Sequence, residues 1–321
     1  NASTDYYSTK YLNIVRPEKN ALNEILYLES ERMDKLVLQE KFVPSEIEIV
    51  KREREIRMDQ PFAVLMDQMW KAAYGNQYLG RLPIGDLPEL KSIKMNELNQ
   101  FYKTWYAPNN AVMVISGKFD KTEVLQKIDQ YFSPIPAREI PSPVQVPVLD
   151  SSKIEQRQFT VQKGSDLAKF NIYMNGKNER LQPALALAPA LFTMQPSGTL
   201  YKSMVETGIS TAVQSTTWLD QDFNVVFMGA IYAPNHDAKK VGDALVDGVE
   251  NSKTFTDAEL QRIKNITQNT ADTIANDAVA LGSRLSDYAV SSHGQWDEYF
   301  RDLEAIQNLK LEDANQTLKQ F

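Results

Sequence analysis

The residues best able to do chemistry are the carboxylates of one predicted helix, over residues 44–57. At about 100° per residue, Glu46 and Glu53 lie on one face of that helix, with Ile49 and Val50 between them. Carboxylates are rarely buried unless they are paired or bind a metal. One interpretation is therefore that both acids point toward the interior of the protein, as a metal ligand or as an acid/base pair.

The same pattern has a simpler interpretation, in which the helix is charged, amphipathic and solvated. Glu53 and Arg57 are four residues apart, so they can form an ion pair along one side of the helix. Runs of charged residues most often form solvated faces. Composition alone favours this second interpretation, and the residues by themselves leave both open.

Cysteine and histidine, the usual partners of a carboxylate in a zinc site, are scarce. The chain has no Cys and two His, His236 and His293. The lack of Cys excludes disulfide scaffolds, thiolate zinc sites and Cys nucleophiles. Two His exclude a site that takes three imidazoles from this chain, and both lie in loop-like sequence, where we predict surface residues.

Charge and hydropathy exclude two further classes of protein. The net charge of −7 and the sequence pI of about 5.1 argue against a nucleic-acid-binding protein, whose affinity depends on clustered cations. No run approaches the ~18 apolar residues of a membrane span, so we predict none. A length of 321 residues indicates about two domains.

A proline-rich segment marks the predicted boundary between those domains. Prolines cluster from Pro134 to Pro147, where the chain cannot be helical. We predict a first domain over residues 1–136, a linker over 137–155 and a second domain over 156–321. Each half mixes predicted helices with predicted strands, which gives an α+β fold class. The predicted strands are residues 111–117, 157–161 and 168–174, together with a pair at 211–217 and 223–232.

Several segments occur in the order and near the spacing of a known family. The chain resembles the insulinase/pitrilysin-like zinc metallopeptidases, also called the M16 family. In the first half the matching segments are Asp5–Tyr7, Leu26–Met33, Phe42–Arg54, Tyr78–Gly85, Phe101–Ala111, Gly117–Asp120 and Tyr131–Pro136. In the second half the match is looser, through Ser197–Lys202 and Phe255–Lys264.

The resemblance implies two related domains, each a mostly antiparallel sheet with helices packed on it, and a zinc-dependent peptidase activity. Family members hold Zn²⁺ with two His of an inverted His-x-x-Glu-His helix and with a Glu from a later helix. Glu53 falls on the position of that third metal ligand. Glu46 falls on the acid that supports the catalytic site without being the general base. The resemblance thus favours the inward-facing interpretation of the two acids.

The chain also departs from the family pattern. It has no His-x-x-Glu-His, and neither Arg nor Tyr occurs from Val205 to Thr211, where the family has such a pair. We therefore expect a fragment, trimmed at both ends, of a parent protein that supplies the two imidazoles and the general base. By itself the chain is expected to bind negligible zinc and to hydrolyse no peptide.

The resemblance implies a peptide substrate and a second M16-type half or subunit as partners. It is closest to bacterial members, many of them exported, so a periplasmic or secreted location is expected. Two alternatives stay open. One is a non-catalytic M16-like subunit that shapes the chamber of an active partner. The other is an unrelated α+β binding protein, in which Glu46 and Glu53 are ordinary surface acids.

Overall fold

The computed structural model describes residues 1–16, 18, 20–142, 144–145, 169–177, 183–219, 224–233, 235–292 and 294–320. The described strands are β1 (Ala2–Thr4), β2 (Thr9–Tyr11), β3 (Lys169–Lys177), β4 (Ala212–Leu219) and β5 (Asn224–Tyr232). The helices up to residue 132 are α1 (Ala21–Asp34), α2 (Val43–Met58), α3 (Pro61–Tyr74), α4 (Leu87–Ser92), α5 (Met95–Trp105) and α6 (Lys121–Phe132). The later ones are α7 (Pro183–Thr193), α8 (Ala238–Glu250), α9 (Asp257–Ala275), α10 (Ala278–Ser291), α11 (Glu298–Asn308) and α12 (Leu311–Gln320).

These elements form two compact units, each assembled from three stretches of chain. Unit 1 comprises Asn1–Arg52, Pro83–Gln145 and Ile274–Asp297. Unit 2 comprises Glu53–Leu82, Val146–Thr273 and Glu298–Phe321. Residues close in space within each unit are therefore often far apart in sequence.

Unit 1 is built around helices and a short antiparallel hairpin of β1 and β2. The hairpin turn is held by Asp5, whose Oδ1 accepts hydrogen bonds from the backbone N–H groups of Tyr7 and Ser8 at 2.8 and 2.7 Å. Tyr102 joins α5 to the end of α1, because its hydroxyl donates to the Arg32 carbonyl at 2.8 Å and accepts from the Leu36 N–H at 3.0 Å. Such bonds place α5 against α1 without a large apolar core.

Unit 2 contains an antiparallel sheet with β5 at its centre, in the order β3-β5-β4. Apolar residues of β4 and β5 form one cluster with apolar faces of the helices of this unit. On α3, Trp70 is fully buried, stacks on Tyr74 at 5.3 Å and meets Phe227 of β5 edge-on at 5.7 Å between ring centroids. This packing gives unit 2 the larger core of the two.

The structure confirms several sequence predictions in the second half. The predicted strand at 168–174 is β3, and the predicted pair at 211–217 and 223–232 is the antiparallel pair of β4 and β5. The predicted strand at 157–161 lies outside the described residues. In the described part of the chain, no helix combines the length and apolar character needed to cross a bilayer.

The structure corrects one sequence prediction, the strand at residues 111–117. Those residues follow a turn at Pro108–Asn110 and belong to no sheet of the structure. The apolar run that predicts a strand is there, but a strand also needs a neighbour to accept its backbone hydrogen bonds. The described residues offer this segment none.

The fold class holds in its coarser form, since the described chain is mostly helical with small antiparallel sheets. The boundaries at 136 and 156 and the kinship of the two predicted domains remain predictions. Most of the predicted linker lies outside the described residues. Each of the two units combines stretches from different parts of the sequence, so their boundaries differ from those of the predicted domains.

Candidate functional site

The two candidate acids lie on α2, a helix that the sequence predicts well. Pro44 stands in its first turn, where a missing backbone N–H costs nothing. The Ser45 hydroxyl donates to the Phe42 carbonyl at 2.7 Å across the start of the helix. Glu46 in the first turn and Arg57 in the last both complement the helix dipole. Local sequence signals therefore suffice to form α2.

Glu46 and Glu53 share a face of α2, as predicted, because seven residues bring the helix round to within about 20° of the same direction. Both residues are nevertheless exposed, and 56% of the Glu53 side chain is accessible to solvent. The Arg57 guanidinium donates to Glu53 Oε1 at 2.8 Å. In this chain the acids thus have the surroundings of a solvated helix.

The described residues leave both acids exposed to solvent, so the inward orientation of the two acids stays a prediction for the complete protein. The physical reason is that α2 contains no buried residue, so no described element covers its acidic face. The i, i+4 ion pair between Glu53 and Arg57 is the contact that the simpler interpretation predicts. It is worth little in water, since exposed ion pairs contribute about 0–1 kcal/mol.

The face of α2 that holds the acids also exposes large apolar side chains. Ile49 and Ile56 are 60% and 57% exposed, and Phe42, just before the helix, is 53% exposed. These three residues are seven apart, so they lie along one stripe beside Glu46 and Glu53. An exposed apolar stripe next to acids is typical of an interaction surface rather than of a solvated one.

A zinc site needs about four donors around one point. Within the described parts of the chain, no group of three or more His, Cys, Asp or Glu side chains is placed to hold a metal ion. The residues present therefore do not fit a complete zinc site. What α2 offers is two exposed carboxylates on one face, those of Glu46 and Glu53.

The two histidines do not extend this site. The prediction of a surface residue is only partly right for His236, which is half-buried in a loop of unit 2. Its Nδ1 lies 3.0 Å from the Ile209 carbonyl, so it joins two loops of that unit. His293 lies outside the described residues.

A pair of tyrosines in unit 1 was not singled out as a pair by the sequence. The hydroxyls of Tyr11 and Tyr106 are 2.6 Å apart, although the residues are remote in sequence. Burial, and then the hydrogen bond shared with the Tyr11 hydroxyl, raise the pKa of Tyr106 far above its ordinary value. Tyr106 is therefore a neutral hydrogen-bonding group rather than a base. No local motif in the sequence indicates that Tyr11 and Tyr106 meet.

Comparison with known proteins gives a match to one family model and a match to one curated relative. A sequence model of the Peptidase M16 inactive domain matches residues 92–267. The "Probable zinc protease PqqL" of Haemophilus influenzae is 28% identical over 134 residues, which is 41% of this chain and 14% of that protein. The chain thus spans about 14% of the length of this curated relative.

Solved structures share the fold over the full chain. A protease from Helicobacter pylori has a TM-score of 0.82 at 20% identity, covering 100% of this chain and 78% of that one. The first half of the periplasmic protease PqqL from Escherichia coli has a TM-score of 0.70 at 18% identity, covering 100% and 72%. At these identities the likeness is one of fold.

Proposed function

The chain belongs to the peptidase M16 family, and from this premise we propose that it is the part of a zinc-dependent peptidase that supplies Glu53 as a metal ligand. In this proposal two imidazoles and a general base come from a His-x-x-Glu-His helix outside this sequence. Glu46 holds a ligand or a neighbouring group in position. Membership of the family also removes the hypothesis of an unrelated α+β binding protein.

One observation supports this proposal above the others, namely the exposed face of α2. Glu46 and Glu53 lie together on it, beside the uncovered side chains of Ile49 and Ile56. Leaving two such side chains in water forgoes roughly 1.5–3 kcal/mol for each. A helix laid on the stripe would recover part of that free energy and place its own donors beside the two carboxylates.

A helix packed on this face of α2 would also change the binding partner of Glu53. Its present partner is Arg57, through an exposed ion pair that is weak enough to be exchanged for a metal. When bound, zinc lowers the pKa of its water and polarises a carbonyl group. In this proposal the chain contributes two residues. Glu53 would bind the metal, and Glu46 would orient a metal ligand through a hydrogen bond, since such outer contacts fix the orientation of the ligands.

The test is Glu53→Gln in the complete gene product, with zinc content and peptide cleavage as readouts. Gln has almost the same shape as Glu but lacks the charge, so zinc content should fall at least about 10-fold, with cleavage lost in parallel. Glu48→Gln is the matched control, because Glu48 lies on the other side of α2 and pairs with Lys51. Unchanged zinc and cleavage in Glu53→Gln would remove the proposal.

A second candidate is a non-catalytic subunit that shapes the chamber of an active partner. The description of the matching family model as an inactive domain favours it. The wild-type protein separates the two candidates, because a non-catalytic subunit contains no stoichiometric zinc when purified without its partner. In that case Glu53→Gln would change neither zinc content nor cleavage by the assembled complex.

We extend the proposal to a peptide substrate, a second M16-type half and a periplasmic location. The substrate follows from the names of the relatives as proteases. The second half follows from the match to the Haemophilus influenzae protein, which covers 14% of that protein's length. The location follows from a structural neighbour described as periplasmic. Fractionation of the cells that express the complete gene product tests the location directly.

A further inference from the structure

The connection from α1 to α2, residues 35–42, determines where the helix with the candidate acids begins. No residue of this connection is buried, and the Val37 side chain is 76% exposed. α2 also contains no buried residue. Core packing within the described chain therefore fixes neither the connection nor the position of Glu46, which belongs to unit 1 together with α1 and α5.

A hydrogen bond to α5 ties this connection to the rest of unit 1. The Leu36 N–H donates to the Tyr102 hydroxyl at 3.0 Å, and that hydroxyl donates in turn to the Arg32 carbonyl in the last turn of α1 at 2.8 Å. Among the described residues, no other hydrogen bond from residues 35–42 reaches beyond α1 and α2. Tyr102 is 8% exposed, so water competes little for its hydroxyl.

Arg138 supports the same junction from another side. Its Nη1 donates to the carbonyls of Tyr102 and Lys103 near the end of α5, at 3.3 and 3.1 Å. Its Nη2 lies 3.4 Å from Oδ1 of Asp34, the last residue of α1. Asn109 fixes the Arg138 backbone by accepting from its N–H and donating to its carbonyl, at 3.0 and 2.9 Å. The end of α1 is thus joined to α5 twice, and the Tyr102 hydroxyl is the contact that reaches the connection.

We propose that Tyr102 is a positioning residue for Glu46, acting through the connection and without touching substrate or metal. The inference rests on the proposed function for the role of α2. The groups of a functional site have to be held within about 0.5 Å of their working positions, by residues that are themselves fixed. An exposed connection cannot do this alone, and the Tyr102 hydroxyl narrows the range of positions from which α2 starts.

Amide hydrogen exchange in the complete gene product tests the first step. Tyr102→Phe keeps the ring and removes the acceptor of the Leu36 N–H, so that amide should exchange at least about 10-fold faster. Tyr131→Phe is the matched control, because the Tyr131 hydroxyl donates to Asn23 Oδ1 at 2.8 Å and so joins α6 to the start of α1. It should leave the exchange of the Leu36 amide unchanged.

Zinc affinity of the complete gene product tests the second step. Tyr102→Phe should raise the zinc dissociation constant about 10-fold, the lower end of the usual effect of contacts that orient ligands. Tyr131→Phe removes the same group at the opposite end of α1 and should leave this constant unchanged. Asp34→Asn weakens the Arg138 contact and keeps Tyr102, so it should raise the constant by a smaller factor. At saturating zinc, Tyr102→Phe should lower kcat for peptide cleavage and leave KM unchanged, because Tyr102 contacts no substrate.

Three results would overturn the proposal. Unchanged exchange of the Leu36 amide in Tyr102→Phe would show that the hydroxyl does not hold the connection. Zinc affinity that falls equally in Tyr102→Phe and Tyr131→Phe would show a general loss of stability. Loss of zinc in Glu53→Gln, with full zinc affinity in Tyr102→Phe, would leave the proposed function standing and remove this inference alone.

Discussion

Among single residues, Lys264 of α9 shows how a buried charge is used in this protein. Its side chain is 8% exposed, and Nζ donates to the Gln307 carbonyl at 2.9 Å and to the Leu309 carbonyl. These carbonyls are at the end of α11, where helix geometry leaves oxygens without partners and the dipole is negative. The ammonium group therefore ties the end of α11 to α9 within unit 2.

Replacing Lys264 by Met keeps most of the length of the side chain and removes the hydrogen-bond donors. We expect Lys264→Met to lower the free energy of unfolding by about 1–3 kcal/mol, the usual cost of leaving such groups unsatisfied. Urea unfolding followed by circular dichroism measures it. Lys240→Met, at an exposed position of α8, is the control and should change stability by less than about 0.5 kcal/mol. Equal effects of the two variants would contradict this role of Lys264.

The candidate acids show which part of a site can be predicted from sequence at the residue level. The shared face of Glu46 and Glu53 follows from helix periodicity, which depends on local geometry alone. Their exposure does not follow, because it depends on what packs against α2. Periodicity gives the relative direction of two side chains and leaves open whether that direction is inward or outward.

Among the helices, α9 has the clearest sequence signal for its start. The Thr256 hydroxyl accepts from the Glu259 N–H at 3.2 Å, while Glu259 Oε2 accepts from the Thr256 N–H at 2.9 Å. This is the reciprocal capping box that Thr256 and Glu259 predict. Thr256→Ala should therefore cost about 1 kcal/mol of stability, measured by urea unfolding.

The same capping box predicts a dependence on pH. Burial alone would raise the pKa of Glu259, but the bonds from Thr256 and the nearby Lys202 and Arg262 outweigh it, so the pKa is lowered. A lowered folded-state pKa contributes stability above the ordinary value of 4.5, and that stability is lost as pH falls through the folded-state pKa.

Glu259→Gln should consequently be less stable than the wild type at pH 7, and the difference should shrink as the pH is lowered below 4.5. Urea unfolding of both proteins at a series of pH values measures this. Glu304→Gln, at an exposed position of α11, is the control for the loss of a carboxylate. A stability difference that stays constant with pH would show that Glu259 acts without its charge.

The strands of the first half show where prediction from local pattern ends. Residues 111–116 have the composition of a buried strand, yet they are unpaired among the described residues. β4 and β5, which have a similar signal, pair with each other because they are neighbours in sequence. A strand whose neighbours are distant or outside the chain cannot be assigned to a sheet from its own residues.

Across the entire chain, the division into units differs in kind from the predicted sequential domains. Unit 1 includes Ile274–Asp297, a stretch far from the rest of the unit in sequence. Lys10 of β2 contacts two residues of this stretch, because its Nζ donates to Ser283 Oγ at 3.2 Å and pairs with Asp287 of α10. Unit 2 recruits Glu53–Leu82, whose Trp70 packs on β5. A proline-rich segment is a good local sign of a linker. Local composition, however, does not predict which stretches that are distant in sequence pack together.

This interleaving gives a prediction that sequential domains would not give. If a specific protease site is inserted after residue 155 and cleaved, the two pieces should remain associated, since each unit contains segments from both sides of the cut. Size-exclusion chromatography should show one species of unchanged size in native buffer and two in denaturant. Trp70→Ala should weaken the association, because burying such a ring contributes about 3–5 kcal/mol. Two pieces that separate freely in native buffer would instead support independent domains over residues 1–136 and 156–321.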